Sequence, residues 1–173
     1  MDREMNAEVV TELVIAPEDA VFWMDRWGHW CNAHGRFQHK KIIDYFHAAI
    51  ARDEQGYYVS QINGKVLEKV YFRYEDTALF VFDVLTENGM TLVLNTRQHL
   101  TLDPESLFIR DDCLYVRNGD EVIKFNQSSM LKISRFFTHE EGGCFLTMQG
   151  KQTAIPQHDN VTLPDANAIP PDA

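Results

Sequence analysis

Two pairs of glycines, each pair spaced by eight residues, constrain the fold because they fall in similar surroundings. Gly56 and Gly64 form the first pair, and Gly142 and Gly150 form the second. A shift of 86 residues superposes the two pairs, and it also aligns an acidic and a basic neighbour: Glu54 with Glu140, and Lys65 with Lys151. Such repeated spacing indicates one supersecondary unit used twice. We therefore expect an internal repeat.

The first unit is predicted to be a hairpin, a helix and a second hairpin. Residues 28–38 favour a short hairpin, and Asn63-Gly64 predicts another hairpin over residues 57–74, because this dipeptide suits a two-residue turn. Between them we predict a helix from about His39 to Arg52, ended by Gly56, where a left-handed residue is readily accommodated. The helix prediction rests on one apolar stripe: Ile42, Ile43, Phe46 and Ile50.

A central hairpin is predicted over residues 78–95 across Asn88-Gly89, and its segment 79–82 is apolar on both faces, as a central strand should be. The second unit then repeats the order of the first. Its predicted elements are a hairpin over 113–125 around Asn118-Gly119, a helix from about Gln127 to Thr138 with Asn126 as its N-cap, and a hairpin over 144–155 across Gln149-Gly150.

These patterns predict an α+β fold with a mostly antiparallel sheet, built from two hairpin–helix–hairpin repeats plus the central β-hairpin. Residues 1–20 form an N-terminal extension whose apolar residues fit either a helix or a strand. Residues 21–100 hold the first repeat with the central hairpin, and 105–155 hold the second. Residues 156–173 are rich in proline and are expected to form a flexible tail.

The charge of the chain excludes some classes of partner. The 173 residues include 26 acidic and 16 basic side chains, which gives a net charge of −10. Such a surface repels phosphate backbones and anionic lipid surfaces, so we expect neither nucleic acid nor a membrane as partner. The three cysteines are isolated and odd in number, and no export signal or long apolar run is present. We therefore expect a cytoplasmic location with reduced thiols.

Four stretches resemble a bacterial family catalogued as domain of unknown function 1285. They lie at Phe22–Arg26, Ala51–Val59, Val70–Asp76 and Phe82–Val84, so the resemblance covers mainly residues 20–100. It identifies the chain as a distant or divergent member of that family. The resemblance implies an α+β fold built from repeated structural motifs, together with a role in signalling or ligand sensing. It implies no catalytic residues.

Five residues are candidates for binding a ligand. Arg52 and Asp53 lie after the first predicted helix, and Arg73 and Glu75 lie in the strand that follows. These polar groups would supply the few anchors of a pocket at the seam between helix and sheet, or they form a surface network of ion pairs. Trp30, in an aromatic-rich segment, would line a groove for a flat ligand or pack in the core.

Histidines suggest a different chemistry. His29, His34 and His39 lie close in sequence to Asp25, and such side chains would bind zinc if they converged, although their spacing matches no zinc motif. Polar turn residues explain them equally well, and we assign no metal ligand. His47 borders the predicted helix stripe and is interpreted as a surface or core-edge residue, because no nucleophile or orienting acid accompanies it.

The leading hypothesis from the sequence is a non-catalytic module for ligand sensing or protein interaction, with a role in signal transduction. It assigns no cofactor and no catalytic residue. Its partner would be a small ligand or another protein, and exposed hairpin edges would also allow a homodimer. The alternative is a small metalloprotein or hydrolase that uses the histidine cluster of His29, His34 and His39.

Overall fold

The computed structural model describes residues 11–158, which contain two α-helices and seventeen β-strands. The helices are α1 (Lys40–Ala48) and α2 (Gln127–Ser134). The strands of the first half are β1 (Thr11–Ile15), β2 (Phe22–Met24), β3 (Trp30–Asn32), β4 (Gly35–Arg36), β5 (Ile50–Asp53), β6 (Gly56–Asn63), β7 (Val66–Tyr71), β8 (Arg73–Tyr74), β9 (Leu79–Leu85) and β10 (Thr91–Leu94). Those of the second half are β11 (His99–Thr101), β12 (Leu107–Arg110), β13 (Cys113–Asn118), β14 (Glu121–Phe125), β15 (Phe137–Glu140), β16 (Gly143–Met148) and β17 (Lys151–Ile155).

The predicted hairpin turns are confirmed. Strands β6 and β7, β9 and β10, β13 and β14, and β16 and β17 pair antiparallel across the predicted turns. In the central hairpin Asn88 and Gly89 both have positive φ, 56° and 100°, which these two residue types adopt more readily than most. The apolar segment 79–82 lies in a central strand as predicted, because β9 has a neighbouring strand on each side in a six-stranded sheet.

Both predicted helices are too long. Helix α1 ends at Ala48, and the segment predicted as its last turn is instead β5, which pairs with β6. The Asp53 side chain accepts a hydrogen bond from the backbone N–H of Gln55 at 2.9 Å, and this local turn reverses the chain. Gly56, at φ 127°, therefore begins a strand and does not end a helix.

The same correction applies to the second half. Helix α2 ends at Ser134, and Phe137–Glu140 forms β15, which pairs with β16. The Asn126 N-cap is confirmed, since its side chain accepts a hydrogen bond from the backbone N–H of Ser129 at 2.9 Å. Three antiparallel strands directly precede each helix, β2–β4 before α1 and β12–β14 before α2. Three antiparallel strands also follow each helix, β5–β7 and β15–β17.

The strands form four sheets, so the fold is α+β with mostly antiparallel sheet. The strand orders are β1-β7-β6-β5, β4-β3-β2-β8, β11-β10-β9-β14-β13-β12 and β15-β16-β17. Parallel pairs join β1 with β7, β2 with β8, and β9 with β14. Within the N-terminal extension, Thr11–Ile15 is therefore a strand, because it pairs with β7, and a short 3-10 helix follows at Pro17–Asp19. Val9 and Val10 lie outside the described residues.

One hydrophobic core connects both halves, from Met24 in β2 to Ile155 in β17. After β17 the chain runs beside β12: the backbone N–H of Ile109 donates to Pro156 O at 2.9 Å, and that of His158 donates to Ile109 O at 2.8 Å. The rest of the predicted tail, from residue 159, lies outside the described residues. Within residues 11–158, neither helix has the length and apolar character needed to cross a membrane.

Candidate functional site

A groove of about 810 Å³ lies against helix α1, and we name it the α1 groove. Its size falls within the range of small-molecule sites, roughly 300–1,000 Å³. Three segments surround it: the β3–β4 hairpin, the first turns of α1 with the residues just before them, and strand β6. Its lining side chains are Asn32, His34, Arg36, Phe37, Gln38, His39, Lys41, Ile42, Tyr45, Phe46 and Gln61.

The apolar floor of the groove consists of Phe37, Ile42, Tyr45 and Phe46. Ring contacts hold Phe46 in place. Its ring packs edge-on against Phe37, with 5.3 Å between centroids, and against buried Trp30, with 5.5 Å between centroids. Edge-to-face pairs at such distances stabilise a defined arrangement of the rings. Ile42 and Tyr45 are 46% and 50% exposed, so the floor presents apolar surface to solvent.

The rim of the groove is polar. The β3–β4 hairpin contributes Asn32, His34 and Arg36, and the Asn32 side chain accepts the backbone N–H of His34 at 2.9 Å, which shapes the turn. His39, just before α1, and Lys41, in the first turn of α1, also belong to this rim. An apolar floor with a few polar groups around it is the usual composition of a ligand site.

The five residues predicted to bind a ligand do not line this groove. Trp30 is 1% exposed and packs between Phe46 and Phe72, so it supports the floor from the core side. Arg52 forms a two-pronged ion pair with Asp120 in the β13–β14 turn, at 2.9 and 3.0 Å. This pair raises the pKa of Arg52 through its hydrogen bond with Asp120.

Asp53 lies beside Arg52 in β5 but has separate partners. Its carboxylate accepts hydrogen bonds from the Lys69 ammonium and the Tyr71 hydroxyl, each at 2.5 Å. These bonds, that of Lys69 first, lower the pKa of Asp53 to about 2. Lys69 also lies over the ring of Tyr58, 4.3 Å from its centroid, so the network links strands β5, β6 and β7 of one sheet.

Arg73 and Glu75 lie in and just after β8, in the other four-stranded sheet. Arg73 is exposed, and the Glu75 carboxylate accepts the backbone N–H of Arg26 at 2.9 Å. The structure therefore distributes the five predicted residues over the core and two sheets.

The three candidate zinc histidines are divided as well. His29 contacts Asp25, with Nδ1 3.2 Å from Oδ2, whereas His34 and His39 both line the α1 groove. Among residues 11–158, no three histidine, cysteine or acidic side chains are arranged to hold a metal ion.

His47 is buried, at 3% exposure, and the prediction of a surface or core-edge residue is therefore wrong. Its ring contacts Trp30 and Phe82 at 5.7 and 4.9 Å between centroids. Burial lowers the pKa of His47 to about 4. The amide of Asn95 donates from Nδ2 to His47 Nδ1 at 3.2 Å, which assigns the imidazole proton to Nε2.

A mostly buried ionic cluster links the β8–β9 loop to strands β12, β13 and β14. The Asp76 carboxylate accepts hydrogen bonds from Arg110 at 2.6 Å and from the Tyr115 hydroxyl at 2.5 Å, and it lies 2.9 Å from the Lys124 ammonium. Lys124 also donates to the backbone O of Arg26 at 2.8 Å. Burial and the hydrogen bond with Asp76 raise the pKa of Tyr115. These contacts satisfy the buried charges within the protein.

A second groove of about 450 Å³, named the α2 groove, lies between α2, the start of β13 and the β15–β16 hairpin. Cys113 and Cys144 are among its lining residues, with Asp112, His139 and Glu140. Burial raises the pKa of the Cys144 thiol, so this cysteine is present as a thiol at neutral pH.

Sequence reasoning missed the groove residues on α1 because it placed Ile42 and Phe46 in one apolar stripe and did not distinguish buried from exposed positions within it. The structure directs Phe46 and His47 toward the core and leaves Ile42 and Tyr45 exposed. The signal was present in the width of the apolar face, which exceeds what one core contact requires. Lys41 carried no signal of its own, because an exposed lysine is common on any helix.

These features define an α+β protein of mostly antiparallel sheet with an amphipathic groove on its first helix. The structure is similar to the crystal structure of a DUF1285 family protein from Silicibacter pomeroyi DSS-3, with a TM-score of 0.55 and 17% identity over 82% of this chain and 81% of that chain. A DUF1285 family protein from Shewanella baltica OS155 is 14% identical, with a TM-score of 0.46, over 66% of this chain and 91% of that one.

Of these two similarities, the first shows a shared fold, and the resemblance seen in the sequence is confirmed at that level. No family model and no curated protein matches the chain.

Proposed function

We propose that this protein is a non-catalytic ligand-sensing module that binds a small molecule with an apolar body in the α1 groove. One observation carries the proposal: the groove combines ligand-sized volume with an apolar floor, on which Ile42 and Tyr45 are about half exposed. The packing of Phe46 against Trp30 supports a preformed site, since the floor is held by the core.

A fluorescence titration with uncharged N-phenylnaphthylamine tests the proposal, because this dye brightens when it leaves water. We expect saturable binding at one site per chain. Ile42→Ser should weaken binding about tenfold, since contact with one aliphatic side chain contributes roughly 1.5 kcal/mol. Leu131→Ser is the matched control, because Leu131 is 76% exposed on α2 and does not line the α1 groove. Unsaturable fluorescence, or equal loss in both variants, would refute the site.

Native mass spectrometry of protein purified without chelator tests the other predictions from the sequence. A small bound mass would support the sensing module, a bound metal would support the histidine alternative, and a doubled mass would support the homodimer. A cytoplasmic location and a role in signal transduction stay predictions, supported by the unpaired cysteines and by the resemblance to the DUF1285 family.

We further propose that the two halves descend from one duplicated unit. Support comes from the glycine spacing and from the shared order of three strands, a helix and three strands around α1 and α2. Superposing α1 and its flanking strands on α2 and its flanking strands in a crystal structure tests this. A superposition that pairs the helices but not the strands would contradict it.

A further inference from the structure

We propose that the ligand of the α1 groove is an amphipathic anion, in which an aromatic or aliphatic body carries a sulfonate, carboxylate or phosphate group. This inference rests on the proposed function, because it names the chemistry of the molecule that the groove would bind. Its basis is the contrast between the charge around the groove and the charge of the chain.

Among the residues that the structure describes, no acidic side chain lines the α1 groove, although the chain holds 26 acidic residues against 16 basic ones. Arg36 and Lys41 contribute positive charge, and the other polar groups are amides, imidazoles and a phenol, all of which have N–H or O–H donors for an anion. The α2 groove differs, since Asp112 and Glu140 line it.

Lys41 is the lining cation that we expect an anionic group to contact. Arg36 lies with Nε 3.4 Å from the Asp25 carboxylate, and Lys40 pairs with Asp44 at 2.9 Å on the same helix. Among the described residues, Lys41 has no carboxylate within ion-pairing distance. An anionic group in the groove would therefore meet a cation that has no ion-pair partner within residues 11–158.

The net charge of −10 does not cancel this local attraction. The carboxylates that contact the groove's surroundings are already paired: Asp25 with Arg36, Asp44 with Lys40, and Glu68 with Gln61. Charges at the surface act over about 8–10 Å at physiological ionic strength, so more distant carboxylates are largely screened at the groove. A head group beside Lys41 lies within that distance, and the aromatic floor removes water from one side, which strengthens the attraction. The apolar floor and the cationic rim thus favour opposite ends of one amphipathic molecule.

Two dyes that share one body separate this inference from the proposed function. Anilinonaphthalene sulfonate is N-phenylnaphthylamine with an added sulfonate, so the pair differs in the anionic group. We expect the sulfonate dye to bind more tightly. Lys41→Gln should weaken the sulfonate dye about tenfold and change the uncharged dye less than about twofold. Lys40→Gln is the matched control, because Lys40 is adjacent to Lys41 but is paired with Asp44 and does not line the groove.

The outcomes are distinct. Equal affinity for both dyes, with no selective effect of Lys41→Gln, would overturn the anion inference and leave the binding site standing. Absence of saturable binding for both dyes would overturn the proposed function and the inference together. Three results together would support an anionic ligand. Lys41→Gln would lose affinity for the sulfonate dye alone, Lys40→Gln would keep it, and added salt would weaken binding of the sulfonate dye to the unmodified protein in the same way.

Discussion

Buried His47 predicts a specific loss of stability at mildly acidic pH. Its imidazole accepts a hydrogen bond from Asn95 and packs between Trp30 and Phe82, with 3% of the residue exposed. The Asn95 amide is fixed by the backbone, because its Oδ1 accepts from Phe80 N and its Nδ2 donates to Ala78 O. Protonation of His47 would place a charge in this apolar site, which is why burial lowers its pKa to about 4.

The sign and size of the effect follow from linkage. In the unfolded chain the His47 pKa is near 6.5, so that state binds the proton first as the pH falls. The stability that neutral His47 contributes is therefore fully present above about pH 7. It is lost as the pH falls from the unfolded pKa of His47 to its folded pKa. With these two values the free energy of unfolding falls by about 2 kcal/mol between about pH 7 and pH 5.

Urea denaturation at the two pH values measures this loss. Carboxylates also contribute to acid sensitivity, so the test is the difference between the unmodified protein and His47→Gln, whose amide keeps an acceptor but does not titrate. We expect His47→Gln to lose about 2 kcal/mol less over this interval. His34→Gln, at the exposed rim of the groove, should behave as the unmodified protein. Identical pH dependence in all three proteins would refute the reasoning.

Three further changes test other parts of the structure. Asp76→Asn should lower the free energy of unfolding by about 3–5 kcal/mol in urea, because it removes the carboxylate partner of buried Lys124; a loss below about 1 kcal/mol would contradict this. Asn126→Ala should lower the free energy of unfolding by about 1 kcal/mol and reduce the amide-exchange protection of the first turn of α2, because it removes the N-cap. An unchanged exchange pattern would contradict this prediction. Gly28→Ala should lower the midpoint of thermal unfolding, since Gly28 has φ 83° and an added Cβ would lie 3.1 Å from the Phe80 ring. An unchanged midpoint would contradict this expected strain.

The turns and the helix starts could be predicted from the sequence. Asn63-Gly64 and Asn88-Gly89 specify hairpins because their φ preferences are properties of a few adjacent residues. The Asn126 cap is local for the same reason, since its side chain reaches a backbone N–H only three residues away. The charge of the whole chain is likewise a property of composition.

The helix ends were wrong because partners far along the chain determine them. Ile50–Asp53 becomes a strand through its pairing with β6, and Phe137–Glu140 through its pairing with β16. Backbone groups in such a segment gain hydrogen bonds from a neighbouring strand, and this gain exceeds a modest helical preference. The N-terminal strand, undecided in the sequence, is defined in the same way by β7.

The amino-acid sequence by itself determined the hairpin turns, the α+β class and the acidic character of this protein, since each depends on neighbouring residues or on their sum. The tertiary structure decided which side chains meet. Arg52 meets Asp120 across 68 positions, and Lys124 meets Arg26 across 98. The α1 groove arises in the same way, because strand β6 brings Gln61 beside a helix and a hairpin that precede it. Contacts of this kind depend on the packing of the sheets, which no local pattern encodes.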